Sequence, residues 1–295
     1  MIVIKVNGGL GNQMFQYAFG RAISLQLNTQ LKLDVSWFNE IPKTDTIREY
    51  ELNCFNIKPL IASDDEIKKT KGPIGLFPKR VSSFLRKMNI LFESSYVMEK
   101  EFYYNPAMLL SVDNSYFEGY WQSYRYFDKY KEVIKKDFLE NYSLSKDKQN
   151  ILEKVKSCNT ISLHIRRGDY VSNANANNYH GVSSLKYYYE AIKYIKDKIE
   201  NPYFIIFSDD IDWVKKNLKV ESPLLFIENQ NNDRPFDDIY LMSLCKHNII
   251  ANSSFSWWGA YLNMNSNKIV IAPKKWFNDS SKNTNDLIPT DWKRF

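Results

Sequence analysis

From residue 160 onward, short apolar runs alternate with amphipathic stretches so regularly that the chain calls for a parallel sheet wrapped by helices. The pattern predicts strands at 160–165, 203–207, 224–227, 248–251 and 268–271, with helices at 185–199, 210–218, 236–246 and 255–263 between them. The start of the chain repeats this on a smaller scale. Residues 2–6 read as a strand and 7–12 as a glycine-rich turn; Met14, Phe15, Ala18, Phe19, Ala22 and Leu25 then recur at helical spacing, and Leu31, Leu33 and Val35 alternate as a second strand. Residues 40–115 show no clear period, 116–121 read as a strand, and 124–139 as an amphipathic helix. A polar stretch at 143–150 separates the two patterns. With 295 residues there is room for two domains, 1–150 and 151–295. The fold class expected is therefore α/β, with two Rossmann-like domains facing across a cleft and ligands held at the carboxyl ends of the strands.

Composition removes several classes. At 44% apolar and 25% charged residues the chain can build real cores, and disorder is disfavoured. Cys54, Cys158 and Cys245 lie far apart without a Cys-x-x-Cys, against a disulfide framework or a cysteine zinc site and in favour of a reducing compartment. No apolar run approaches the roughly 20 residues of a membrane helix, and residues 1–6 are too short for a signal peptide, so a cytoplasmic protein is expected. The formal charge of +6 permits an anionic ligand without demanding nucleic acid. Basic residues gather at 68–87, which fits a solvated surface or peripheral contact with an anionic membrane.

The residues able to do chemistry follow the strands. Gly8-Gly9-Leu10-Gly11-Asn12-Gln13 can bring backbone amides close to a phosphate at a helix N-terminus, or serve as a tight turn alone. As a dinucleotide fingerprint it fails, since Met14 stands where the third glycine belongs, although Asp34 lies near the ribose-binding distance. His164-Ile165-Arg166-Arg167-Gly168-Asp169-Tyr170 leaves a buried strand with charges that must be paired or used. Alternation puts His164 and Arg166 on one face, where a planar guanidinium suits a phosphate, and turns Arg167 towards a structural carboxylate. Asp210-x-Asp212 has the form of a metal pair, but Ser208 or Asp209 at that position more readily caps a helix. Asn252-Ser253-Ser254 can grip phosphate or cap the next helix, and Trp257 and Trp258 read as core. Walker, His-Glu-x-x-His and Gly-x-Ser-x-Gly motifs are absent from the sequence, so kinase and hydrolase readings lose ground.

Together with Gly119-Tyr120-Trp121-Gln122-Ser123, these motifs, in this order over nearly the whole chain, resemble the bacterial α-1,2-fucosyltransferases of glycosyltransferase family 11. The resemblance implies a GT-B fold and inverting transfer of L-fucose from GDP-fucose to the 2-hydroxyl of a terminal β-galactoside. The acceptor implied is an oligosaccharide or a lipid-linked O-antigen precursor at the inner membrane, and no metal or other cofactor is expected. It also implies that Arg166 holds the β-phosphate, with His164 and Asp238 at the guanosine. Ser253, Ser254 and Phe255 would form the diphosphate loop, and Gly11 and Asn12 would contribute from the first domain. Tyr120, Trp121 and His180 stand as acceptor-side candidates. The related α-1,6 enzymes use a glutamate a few residues after the arginine pair. Here that stretch reads Val171-Ser172-Asn173-Ala174, so the base falls by position to Asp169 and then to His180. A fucosyltransferase of other linkage or acceptor is the nearest rival. A nucleotide-dependent oxidoreductase lacks its third glycine, and a glycan-binding module has no use for an arginine-rich strand end.

Overall fold

The computed structural model describes residues 1–42, 46–55, 57, 59–75, 95–168, 171, 179, 181–228, 234–279 and 281–295. The chain divides into two compact units, Met1–Glu140 with Asn285–Leu287, and Asn141–Thr284 with Ile288–Phe295. The division precedes residue 150 because the polar stretch at 143–150 is not a linker. It leads into helix Lys146–Ser157, which buries Lys148 in its first turn and Val155 near its end within the second unit.

The first unit contains β1 (Ile2–Lys5), α1 (Leu10–Gln26), β2 (Leu31–Asp34), β3 (Leu60–Ile61), α2 (Asp64–Gly75), β4 (Tyr96–Met98), β5 (Ser115–Glu118) and α3 (Lys131–Leu139). Its strands pair in parallel in the order β3-β2-β1-β5-β4, with Ile2, Val3 and Ile4 of the central strand fully buried. Helix α1 packs tightly on this sheet at Gly20, where a Cβ would meet Leu31 Cδ1 at 2.8 Å. Phe19 stacks on Trp121 at 4.1 Å, and Phe15 packs against Phe127. The helix expected at 124–139 forms only in its second half. Tyr124–Tyr126 and Asp128–Tyr130 are single 3-10 turns with a break at Phe127. Neighbouring side chains on a helix diverge by about 100°, and the break brings both Tyr126 and Phe127 into the aromatic core.

The second unit contains α4 (Lys146–Ser157), β6 (Asn159–Ile165), α5 (Leu185–Lys196), β7 (Pro202–Ser208), α6 (Ile211–Asn217), β8 (Leu224–Phe226), α7 (Pro235–Leu244), β9 (His247–Ile249), α8 (Ser254–Leu262), β10 (Val270–Ala272) and β11 (Lys293–Arg294). The order is β11-β10-β9-β6-β7-β8, again parallel. Strand β7 shows why its sequence is apolar throughout: Phe204 and Ile206 enter one core with α5, and Ile205 and Phe207 enter another with α7. Among the described residues, no helix is long and apolar enough to cross a membrane.

In both sheets the first strand is central, and the chain leaves it in opposite directions, through β2 and β5 in one unit and β7 and β9 in the other. Such a switch point opens a crevice at the carboxyl ends of the strands. It accommodates the β1–α1 glycine loop in the first unit and the residues after β6 in the second.

Asp34 does not have the free carboxylate that a ribose ligand would need. It is fully buried at the end of β2, accepting from the Tyr116 hydroxyl at 2.5 Å and the Ser36 amide at 2.9 Å, with Lys71 at 3.9 Å. Burial alone would raise its pKa, but these hydrogen bonds and the lysine charge together hold it below the usual value. Its folded pKa therefore lies below its unfolded one. The resulting stabilisation is present above the unfolded pKa of about 3.9 and is lost as pH falls through the folded value. Tyr116→Phe should remove about 1–3 kcal/mol of stability at neutral pH by orphaning a buried carboxylate oxygen. Urea unfolding should show that deficit shrinking in acid.

Candidate active site

The second unit gathers charge where β6 ends. Residues after β6 emerge beside the loop after β9, because Leu163 pairs with Ile249, and beside the loop after β7, because Ile165 pairs with Ser208. The guanidinium of Arg166 forms a 2.9 Å ion pair with Asp209. The same carboxylate accepts the Arg167 amide at 2.8 Å and lies where a Cβ on residue 168 would fall, 2.5 Å from Asp209 Oδ2. Gly168 is thus the space into which Asp209 fits. Arg167 turns away, as alternation suggests: Nε pairs with Asp210 at 3.2 Å and the guanidinium covers the Trp213 ring at 3.5 Å. Its carboxylate partner is Asp210.

Asp210 itself is the N-cap of α6, accepting from the Trp213 amide, while Ser208 Oγ accepts from the Asp210 amide. The cap expected at Ser208 or Asp209 sits one residue later, leaving Asp209 for the arginine. With Asp210 engaged by a cap and an arginine, Asp210-x-Asp212 is not arranged as a cation site. Among the described residues, no group of three or more His, Cys, Asp or Glu side chains could hold a metal ion.

His164 is 5% exposed and its ring lies 5.8 Å from that of Phe255. Its Nδ1 is buried without a hydrogen-bond partner among the described residues. Burial, reinforced by the Arg166 charge and only partly opposed by Asp209, pushes its pKa down to about 3. Ser253 is the N-cap of α8, accepting from the Phe255 amide, while Ser254 and Phe255 are half-buried. Asn252 holds this loop down, donating to the Gly181 and Trp276 carbonyls and accepting from Ser183. Trp257 and Trp258 are core residues, as their spacing suggests.

Asp238 lies in the first turn of α7 with Oδ1 in a buried 2.7 Å ion pair with Lys148, a partner that the polar stretch did not reveal. Asp169 and His180, the two candidates for the base, lie outside the described residues.

In the first unit, Gly8 has a left-handed φ of +72°, and Gly9 caps α1 without a side-chain bond. Gln13 ties this loop to the following segment: Nε2 donates to the Gly8 and Glu49 carbonyls and Oε1 accepts from the Glu51 amide. Gln16 donates to Asn7 Oδ1 and the Gly119 carbonyl. The turn after β5 is held by Glu99, which accepts from the Tyr120 and Trp121 amides. Gln122 donates to Asn12 Oδ1 at 2.7 Å. Gly11 and Asn12 therefore sit with Gln122 at the switch point. Trp121, an acceptor-side candidate, is fully buried, because its ring completes the aromatic core on Phe19. Tyr120 is 44% exposed. Glu99 is not singled out by the sequence, and Asp209 is read there only as a cap candidate, not as the partner of Arg166. The adjacent aspartates at 209 and 210 offered a signal for the second, but the stretch around Glu99 offered none.

A neutral His164 gives a direct check. Its ring resonances should not titrate between about pH 8 and pH 5, where an ordinary histidine does. Because the unfolded chain binds that proton more readily, its contribution to stability should weaken as pH falls below about 6.5.

Comparison with known proteins identifies the family and the fold. The sequence model of Glycosyl transferase family 11 matches residues 79–294. An α-1,2-colitosyltransferase of Escherichia coli is 36% identical over all of this chain and 98% of its own length. The O-antigen biosynthesis glycosyltransferase WbnK of the same organism is 38% identical over 95% and 97% of the two chains. The human galactoside α-(1,2)-fucosyltransferase 1 is 25% identical over 49% of this chain and 42% of its own. Among solved structures, the NodZ fucosyltransferase from Bradyrhizobium has the same fold, with a TM-score of 0.50 at 13% identity over 88% of this chain and 90% of that one. The two parallel sheets accordingly form a GT-B type architecture, and the chain belongs to glycosyl transferase family 11.

Proposed function

We propose that the protein transfers L-fucose from GDP-fucose to the 2-hydroxyl of a terminal β-galactoside in an oligosaccharide or O-antigen precursor, inverting the transferred anomeric carbon. The observation that carries this reading is Arg166, a planar two-pronged donor at the carboxyl end of the central strand β6. As the bond from anomeric carbon to phosphate oxygen breaks, charge collects on the departing diphosphate. A guanidinium already held in place stabilises that charge without reorganising. Asp209 positions Arg166, and the Ser253–Phe255 turn at the start of α8 is assigned to the diphosphate through the family pattern. His164 packs with Phe255 and has a ring nitrogen left for the guanosine. Asp238 is assigned to the same base through the family pattern, and Gly11 and Asn12 to the donor from the first unit.

A second reading, colitose transfer, is favoured by the full-length similarity to the E. coli colitosyltransferase. Colitose is fucose without its 3-hydroxyl, so the leaving group and the attacked carbon are unchanged. A lipid-linked acceptor would be met at the cytoplasmic face of the inner membrane. The basic stretch at 68–87 suits peripheral contact there, although its second part, from 76, lies outside the described residues. The acceptor hydroxyl loses its proton late, and Asp169 is the first choice to take it, His180 the second.

The test is incubation of GDP-fucose and GDP-colitose with a panel of β-galactosides in excess EDTA, with the linkage identified by NMR. Turnover with an α-1,2 product supports the reading, and turnover that appears only on adding magnesium or manganese overturns its metal-independent form. Arg166→Lys should lose at least about 10²-fold in turnover, because a point charge does not replace a bidentate donor. Arg167→Lys, the paired control, should mainly lower the melting temperature. If Asp169 is the base, Asp169→Asn should bind GDP normally and lose roughly 10²- to 10⁴-fold in kcat.

A further inference from the structure

The turn after β5 is built to deliver one polar side chain. Its backbone is locked on one side by Glu99 and continues through Trp121, which has a left-handed φ of +55° and a fully buried ring. On the other side, Ser123 donates its amide to the Trp121 carbonyl and its hydroxyl to the Asp286 carbonyl, both at 2.8 Å. Arg125 holds the Asp286 carboxylate at 2.7 Å. Between these anchors, half-buried Gln122 reaches the first turn of α1, where its Nε2 donates to Asn12 Oδ1 at 2.7 Å.

A primary amide has one acceptor oxygen and a nitrogen carrying two donor hydrogens. With the oxygen of Asn12 engaged by Gln122, the nitrogen is held on the other side. There it lies 2.9 Å from the place a Cβ on Gly8 would occupy, in a notch that exists because residue 8 is glycine with positive φ. We infer that Gln122 is a positioning residue that fixes the Asn12 amide with its N–H donors presented at the glycine loop, so that Asn12 offers hydrogen rather than lone pairs to an oxygen-rich donor substrate. The inference rests on the proposed placement of Asn12 at the donor. It gives the Gly119–Ser123 motif a role on the donor side.

The experiment compares wild type, Asn12→Asp, Gln122→Met, Gln122→Glu and the Asn12→Asp/Gln122→Met double variant in the full chain. Thermal midpoint, GDP affinity by calorimetry, and kcat and KM for the GDP-sugar it turns over are measured for each. Asn12→Asp keeps an acceptor for Gln122 but loses its donors, and should be impaired. Gln122→Met should lose about 10- to 10²-fold in kcat/KM while still folding, through misdirection of a reacting contact. The double variant should be no worse than Asn12→Asp alone, whereas independent roles would multiply. In Gln122→Glu the ionised carboxylate cannot donate and draws the Asn12 nitrogen towards itself, so activity should be low at neutral pH. It should recover relative to wild type as pH falls through the carboxyl range of about 4–5, where a protonated glutamate donates again. A merely structural glutamine would show no such profile, and this variant decides the matter if Gln122→Met does not fold. Wild-type kcat/KM in Gln122→Met, full activity of Gln122→Glu at neutral pH, or multiplicative losses in the double variant would overturn the inference. An unimpaired Asn12→Asp would instead remove Asn12 from the donor site, a failure of the underlying reading that is distinct from an impaired Asn12→Asp beside a normal Gln122→Met.

Discussion

Parallel pairing around a central first strand is the constraint from which the rest of this molecule follows. In each unit the chain begins in the middle of the sheet and departs first to one side, then to the other, so two loops diverge above the carboxyl ends of the central strands. A loop lying there does not have to carry a covering helix directly over itself. The residues after β6 can therefore remain polar although the strand before them is buried on both faces.

Placing two arginines at that point is costly unless each charge is matched, and the matching is divided between two neighbouring carboxylates. Asp209 takes Arg166 and the Arg167 amide, while Asp210 takes the Arg167 side chain and caps α6. One arginine is thereby stacked on Trp213 as part of the framework, and the other is steered but still partly exposed. Gly168 belongs to the same device, since a methyl group there would occupy the place of the Asp209 carboxylate. The glycine is required for space.

The first unit solves a different problem with amides. From α1, Gln13 and Gln16 reach the backbone of neighbouring loops and satisfy groups that burial would otherwise orphan, while Gln122 joins its turn to the Asn12 side chain. A glutamine is long enough to join two loops and carries no charge to be neutralised. The Trp121 ring fills the space on Phe19, and its backbone holds the turn through Glu99 and Ser123.

Sequence alone determined the elements of the second unit from β6 to β10 to within a few residues, because buried strands are rich in apolar residues and the helices between them must be amphipathic. It missed α4, read as a polar stretch, and β11, too short to show a period. It also determined which segments follow strands, and hence that His164, Arg166 and Ser253 lie at strand ends in the second unit and Asn12 after a strand in the first. Residues 40–115 were illegible for the opposite reason. Strands of two or three residues, such as Leu60–Ile61 and Tyr96–Met98, are too short to establish a period, and Glu99, which follows one of them, could not be recognised. Tertiary structure alone decided the partner of each charge: Asp209 rather than Asp210 for Arg166, Lys148 for Asp238, Tyr116 for Asp34. Periodicity reports which face of an element is buried, a local property. Which carboxylate meets which guanidinium depends on strand order and register, and these arise only when distant segments pack together.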